Sequence, residues 1–187
     1  ELRVLHPTAL VFEPDERELM GPTLDAMRHG VALILGGQLP NDDVGRRVGK
    51  PDILGRVEDA SIAGYPCPYV PVDVKNHLTL QSSAQGAFGP AQCSPLTAPT
   101  PVVASASSEE WSRKHSDDLL QLAHYWRMLE AAGFAPPAPR HSGIIGPERV
   151  VTWFDLDAIV WQNGGARRSS LERYDFEFCF RLDVIAC

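Results

Sequence analysis

One segment in the first half of the chain, Tyr69–His77 (YVPVDVKNH), constrains the fold more than any other. Valines at positions 70, 72 and 74 alternate with Asp73 and Lys75, and this period of two is typical of a β-strand whose faces differ. The valine face predicts a hydrophobic core, so the strand needs sheet neighbours. The opposite face carries a carboxylate beside an ammonium, and burying charge is costly unless the charge is paired or binds a metal.

Taken alone, this pattern also fits a surface ion pair on an edge strand. The preceding strand, predicted over Pro51–Glu58, adds a second carboxylate, Asp52, at its start. Successive strands commonly pair, so we expect Asp52 to lie beside Asp73. Two such carboxylates repel each other unless a divalent cation lies between them. Phosphodiester cleavage uses such a cation, and Lys75 would orient the attacking water or offset charge on the phosphate.

Periodicity and turn residues predict one domain over residues 1–187, with the order helix, three strands, helix, two strands, helix. This order indicates an α/β or α+β fold with a mixed central sheet flanked by helices. The segment Gln81–Ser108 is rich in Ser, Ala, Pro and Gly and has no period, which predicts a long loop or partly disordered insertion. The predicted helices are Pro14–His29, Ser116–Ala132 and Tyr174–Cys187, and the predicted strands are Val31–Leu39, Pro51–Glu58, Tyr69–His77, His141–Ile145 and Val150–Asp155.

Composition narrows the classes of protein. The net charge of -7 argues against a surface coated for nucleic-acid binding, although it is compatible with a local basic groove and a carboxylate-rich metal site. The four cysteines include no C-x-x-C pair, so a zinc knuckle, a disulfide framework and an iron–sulfur cluster are not expected. We expect free thiols, as in a cytoplasmic protein. No apolar run reaches the ~20 residues of a membrane helix. The chain begins at Glu1 and its last helix ends without a cap, which favours a fragment of a longer protein.

Two motifs together resemble a known nuclease family. Pro51-Asp52, a gap of twenty residues and Asp73-Val74-Lys75 resemble the PD-(D/E)XK signature. Gln121 and Tyr125, in QLAHY, match the Q-x-x-x-Y motif of its RecB-like branch, and their i, i+4 spacing puts them on one helix face. The surrounding sequences GKPDILGR and YVPVDVKNH resemble RecB-like exonucleases, including CRISPR-associated ones, and the resemblance covers roughly Glu13–Asp155.

The resemblance implies a restriction-endonuclease-like fold and a role for each motif residue. Asp52 and Asp73 would bind Mg²⁺ or Mn²⁺, Lys75 would complete the catalytic centre, and Gln121 and Tyr125 would place the DNA strand. The family takes a further metal ligand, Glu or His, from the helix before the first strand. Glu18 is the preferred candidate for that ligand, with Glu16 and His29 as alternatives.

The sequence therefore favours a divalent-metal-dependent deoxyribonuclease, an exonuclease acting in DNA repair or recombination. We expect DNA as the partner and no association with a membrane. Because the chain contains no G-x-x-x-x-G-K-[ST] motif, a helicase or other motor would lie on another domain or protein. Two alternatives remain open, a catalytically inactive nucleic-acid-binding module of the same fold and a sequence-specific restriction-type endonuclease.

Overall fold

The structure is a computed structural model that describes residues 1–58, 67–87, 89–113, 115–163 and 166–186. Four α-helices and eleven strands are assigned in these ranges. The helices are α1 (Leu2–Leu5), α2 (Met20–Arg28), α3 (Ser116–Ala132) and α4 (Ser170–Ala186). The strands are β1 (Leu10–Val11), β2 (Leu33–Leu35), β3 (Ile53–Arg56), β4 (Tyr69–Val74), β5 (Leu80–Gln81), β6 (Pro90–Pro95), β7 (Ser105–Ser112), β8 (His141–Ile145), β9 (Val150–Asp155), β10 (Ile159–Asn163) and β11 (Ala166–Ser169).

Nine strands form one mixed sheet in the order β1-β2-β3-β4-β8-β9-β6-β7-β5. The β1–β2 and β4–β8 pairs are parallel, and the other pairs of this sheet are antiparallel. Strands β4 and β8 need a crossover because they are parallel neighbours, and α3 supplies it by packing across both. The expected mixed α/β sheet flanked by helices is therefore confirmed.

The long helix α3 anchors the core. Its Leu122, Trp126 and Leu129 are fully buried, and Gly133, in the left-handed conformation at φ 76°, ends the helix as glycine readily does. Its bounds are those that the sequence predicts. On β4, Val70 and Val72 are buried as expected, whereas Val74 is 50% exposed because the strand ends there.

The first predicted helix begins later than expected, at Met20 rather than Pro14. Pro22 explains the shift, since a proline lacks the amide hydrogen that a helix interior needs and is tolerated in the first turn. Glu18, at φ 57°, also leaves the helical conformation immediately before α2. The strand expected over Val31–Leu39 is likewise shorter, because Gly36 turns the chain at φ 71° after Leu35.

The expectation of a long loop or partly disordered insertion at Gln81–Ser108 is wrong. The segment contains β6, a 3₁₀ turn at Pro101–Val103 and the first half of β7. Strand β6 pairs with β9, opposing Cys93 to Thr152, and Trp153 Nε1 donates a 2.9 Å hydrogen bond to the buried Ser94 Oγ. These partners lie some sixty residues away, so local composition does not show them.

The β10–β11 hairpin was also not predicted, and α4 begins at Ser170 instead of Tyr174. The turn expected at residues 60–68 lies outside the described residues except for Cys67 and Pro68. Within the described ranges, none of the helices has both the length and the apolar character that crossing a membrane requires.

Candidate active site

The pairing of β3 with β4 brings two carboxylates together. The antiparallel register opposes Ile53 to Val72, and one step further along it Asp52 falls opposite Asp73 on the same face. The Val74 amide donates a 2.8 Å hydrogen bond to Asp52 Oδ2, which fixes that side chain over the end of β4. Asp73 is only 3% exposed, whereas Asp52 is exposed at the rim. The pair thus has one buried and one accessible member.

Lys75 is bound from two sides. Its Nζ lies 2.6 Å from Asp73 Oδ2 and donates a 2.7 Å hydrogen bond to Gln121 Oε1. Burial favours the neutral amine, but the hydrogen bond and charge of Asp73 together with the charges of Asp118 and Asp52 outweigh it, so the pKa of Lys75 is raised and the ammonium form is held. The charge that faces the two aspartates is therefore fixed in both place and protonation.

Helix α3 delivers Gln121 and Tyr125 to the same cluster. Gln121 Nε2 donates to the Tyr125 hydroxyl at 2.8 Å, and that hydroxyl donates to the Lys50 carbonyl oxygen at 3.3 Å. Gly49 allows the loop before Asp52 to come this close, because a Cβ there would lie 2.9 Å from Tyr125 Cε1. A hydrogen-bonded chain thus runs from Asp73 through Lys75 and Gln121 to Tyr125.

The site has more negative than positive charge. Partial loss of hydration is the largest cause that raises the pKa of Asp52, and the neighbouring Asp73 carboxyl raises it further, although the Val74 amide and Lys75 act in the opposite direction. A third carboxylate, Asp118, has its Oδ1 3.8 Å from Lys75 Nζ. Three carboxylates around one ammonium leave unneutralised negative charge that a divalent cation would offset.

The candidates for the upstream metal ligand are less well placed. Glu18 is exposed on the turn before α2 rather than on the helix where it was expected. Glu16 is also exposed, and its Oε1 accepts a 2.7 Å hydrogen bond from the Glu13 amide. His29 ends α2 and its Nδ1 donates to the Asp25 carbonyl oxygen at 2.7 Å, as a helix-terminal histidine commonly does. The structure brings Asp52, Asp73, Lys75, Gln121 and Tyr125 together, and the upstream ligand stays a prediction.

Three further residues, which the sequence pattern does not indicate, adjoin this cluster. His77, His115 and Asp118 place one ligand atom each within 4.8 Å of one another and could hold a metal ion. Asp118 precedes Gln121 by three positions on α3, a spacing that puts both on one helix face and could have revealed it. His115 gave no such signal, because β5, β6 and β7 separate it from His77 in the sequence.

The geometry fits a hard divalent cation at the aspartate pair. Asp52 and Asp73 offer carboxylate oxygens, which Mg²⁺ and Mn²⁺ prefer. One Asp52 oxygen is used by the Val74 amide, and the accessible position of that side chain leaves the pair open towards solvent.

Comparison of this chain with models of protein families, with curated protein sequences and with solved structures finds no match.

Proposed function

We propose that this protein is a divalent-metal-dependent deoxyribonuclease with a restriction-endonuclease-like core, of the RecB-like PD-(D/E)XK type. DNA repair or recombination in the cytoplasm is the proposed setting, and exonucleolytic cleavage the proposed mode. The fold is compatible with this, because α2, the antiparallel strands β2, β3 and β4, helix α3 and the parallel strand β8 occur in this chain order, with β5, β6 and β7 inserted between β4 and α3.

One observation carries the proposal, namely the position of the Asp52 and Asp73 carboxyls opposite each other with the Lys75 ammonium 2.6 Å from Asp73. A simple ion pair needs one carboxylate. Loss of hydration and then the Asp73 carboxyl raise the pKa of Asp52, so ionising both aspartates costs free energy that a bound divalent cation would offset.

The residues divide into metal-binding and substrate-facing groups. Asp52 and Asp73 would hold Mg²⁺ or Mn²⁺, with Glu18 as the proposed upstream ligand. When bound, such an ion lowers the pKa of a coordinated water and offsets charge on the scissile phosphate. Lys75 holds a fixed positive charge where the phosphate would develop negative charge.

Gln121 and Tyr125 would contact the DNA strand. Tyr125 is 7% exposed and its hydroxyl is already held by Gln121, so the pair presents polar atoms in a fixed geometry rather than a free aromatic face. Rigid polar groups of this kind position a phosphodiester backbone without reading its sequence. This arrangement favours a nuclease without sequence preference over a restriction-type enzyme.

Digestion of end-labelled DNA tests the proposal. Linear single-stranded and duplex DNA and covalently closed circular DNA are incubated with the protein and Mn²⁺, Mg²⁺ or a chelator. We expect metal-dependent loss of the linear substrates and survival of the circle. Cleavage of the circle at discrete positions would favour the restriction-type alternative. DNA binding with no cleavage under either metal would favour the inactive binding module.

A further inference from the structure

We propose that His77, His115 and Asp118 form a second metal site, selective for a transition-metal dication of the Zn²⁺ type. This inference does not depend on the nuclease proposal, since none of these three residues belongs to the aspartate pair. The site joins the segment that follows β4 to the first turn of α3. Its ligands are two imidazoles and one carboxylate.

The geometry is close to that of a bound ion. The three ligand atoms lie within 4.8 Å of one another, and His77 Nε2 is 2.8 Å from Asp118 Oδ2. Tetrahedral Zn²⁺ with bonds of about 2.0–2.1 Å separates its ligands by roughly 3.4 Å. The widest separation would have to close by at most about 1.4 Å and the shortest would open by about 0.6 Å, changes within the reach of side-chain torsions.

The ring of His115 is already oriented. Its Nε2 donates a 3.1 Å hydrogen bond to the Leu78 carbonyl oxygen, which leaves the lone pair on Nδ1. Histidines that bind metals commonly donate the other ring N–H to a carbonyl or carboxylate in this way, and the bond fixes the tautomer. The His77 and His115 rings lie with their centroids 4.0 Å apart, and one nitrogen of each is within 4.8 Å of the other and of an Asp118 oxygen.

The donor set distinguishes this site from the aspartate pair. Imidazole nitrogen suits Zn²⁺ and its neighbours in the first transition row, whereas oxygen ligands suit Mg²⁺. The side chain of Asp118 is 12% exposed and that of His77 33%, so the cluster is shielded yet reachable. Three protein ligands leave a fourth tetrahedral position for water.

An ion at this site would stabilise the contact between β4 and α3. Lys75 lies at the end of β4, and its Nζ contacts Gln121 at 2.7 Å and Asp118 Oδ1 at 3.8 Å. An ion bound by His77, His115 and Asp118 would link the same two elements a few residues away. Because it binds only the folded chain, it would stabilise the β4–α3 contact and raise the melting temperature.

Zn²⁺ titration followed by calorimetry and thermal melting tests the site, in a D73N background so that the aspartate pair contributes little. We expect one high-affinity Zn²⁺ per chain and a rise in Tm, and at least a ten-fold loss of affinity in His77→Ala, His115→Ala and Asp118→Asn. Two matched controls, His29→Ala and Asp117→Asn, change an exposed histidine and the adjacent exposed carboxylate. His29→Ala should keep full affinity, and Asp117→Asn should keep most of it.

Co²⁺ provides a spectroscopic measurement on the same proteins. Visible absorption that indicates coordination by nitrogen and oxygen in the parent, and its loss in His115→Ala, would support the site. Melting in chelator shows whether each variant is folded, and Asp118→Asn, which keeps the side-chain shape, covers the case in which an alanine variant unfolds. Equal Zn²⁺ affinity in the parent and in folded Asp118→Asn and histidine variants would overturn the proposal. That result would leave Mg²⁺-dependent cleavage by the wild type unaffected, so the two proposals fail separately.

Discussion

Two ion pairs of nearly equal length lie in different parts of the molecule. Lys75 Nζ is 2.6 Å from Asp73 Oδ2, and Arg47 Nη1 is 2.7 Å from Asp42 Oδ2. The exposed fractions are also similar, 21% and 4% for the first pair of side chains and 16% and 7% for the second. Distance and burial therefore do not separate a candidate site from a structural contact.

The two pairs differ in the balance of charge around them. Asp42 also accepts a 2.8 Å hydrogen bond from the Gly45 amide, and Arg47 donates to the Tyr174 hydroxyl at 3.2 Å and lies over the Phe178 ring. The Gly45 hydrogen bond is the largest cause of the lowered pKa of Asp42, and Arg47 adds to it against the effect of burial. In that cluster the carboxylate is satisfied.

The cluster at Lys75 is unbalanced. Asp52, Asp73 and Asp118 share one ammonium, and the pKa of Asp52 is raised rather than lowered. The pKa of Asp52 is raised mainly by loss of hydration and further by Asp73, whereas that of Asp42 is lowered mainly by the Gly45 amide, so the two clusters differ in how well their carboxylates are compensated. A test of the nuclease proposal can therefore use the Asp42–Arg47 pair as an internal control.

The largest expected effect is the loss of cleavage in Asp73→Asn. The change keeps the shape of the side chain and a hydrogen-bond acceptor for Lys75 but removes a metal-binding charge. We expect the rate of DNA cleavage to fall at least about a thousand-fold, or roughly 4 kcal/mol of transition-state stabilisation. Initial rates on end-labelled linear DNA measure it, with Asp42→Asn as the control that should keep its activity below its melting temperature. Wild-type rates in Asp73→Asn would contradict the comparison.

Lys75→Ala should have the next largest effect. Removing the fixed charge beside the phosphate should slow cleavage by about 10²–10³-fold, as removal of one oriented donor from a catalytic site commonly does. Binding of Mn²⁺ should persist, because Asp52 and Asp73 remain. Arg47→Ala serves as the control, and it should cost stability without a specific loss of cleavage. If Lys75→Ala lost Mn²⁺ binding and its cleavage rate did not recover at high Mn²⁺ concentration, Lys75 would be part of a structural ion pair only.

Some of this arrangement could be predicted from the sequence because it depends on local rules. The period-two pattern places Asp73, on β4, and Lys75, just after its last residue, on the same side, and pairing with the preceding strand follows from chain order. The spacing of Gln121 and Tyr125 places both on one face of α3. The catalytic and substrate-binding roles of these residues stay predictions.

The remaining features depend on contacts that local rules do not show. Strands β6 and β7 are formed from a Ser- and Pro-rich segment because β9 pairs with β6, and the buried Ser94 hydroxyl accepts a hydrogen bond from the distant Trp153. The contact of His115 with His77 depends on the pairing of β7, which precedes His115, with β5, which follows His77. Glu18 falls within the helix that the sequence predicts over Pro14–His29, but Pro22 delays the start of α2 to Met20.

Asp42→Ala should reduce the free energy of unfolding by about 3 kcal/mol, because it leaves the largely buried Arg47 guanidinium without its carboxylate. For a chain of this length, that corresponds to a fall in Tm of roughly 6–12 °C. Urea denaturation followed by circular dichroism measures the change. Asp43→Asn, an exposed neighbour, is the control and should stay within about 0.5 kcal/mol of the wild type. Equal destabilisation in both variants would remove the distinction between a satisfied pair and surface charge.

The smallest expected effect is a pH dependence of opposite sign at the two aspartates. The folded pKa of Asp42 is lowered, so its carboxylate contributes stability above the ordinary value of about 3.9, and that contribution is lost as pH falls through the folded pKa. The folded pKa of Asp52 is raised, so in metal-free protein its ionisation destabilises the fold, and stability is lost as pH rises through that raised value.

Urea unfolding in chelator, from about pH 3 to about pH 8, compares the wild type with Asp42→Asn and with Asp52→Asn. The stability of wild type relative to Asp42→Asn should shrink towards low pH, whereas that of wild type relative to Asp52→Asn should grow towards low pH. Added Mn²⁺ should cancel the second trend and leave the first unchanged, because the cation competes with the proton only at the unbalanced cluster. Two trends of the same sign, or a Mn²⁺ effect at Asp42, would show that the two clusters do not differ in the way their charges indicate.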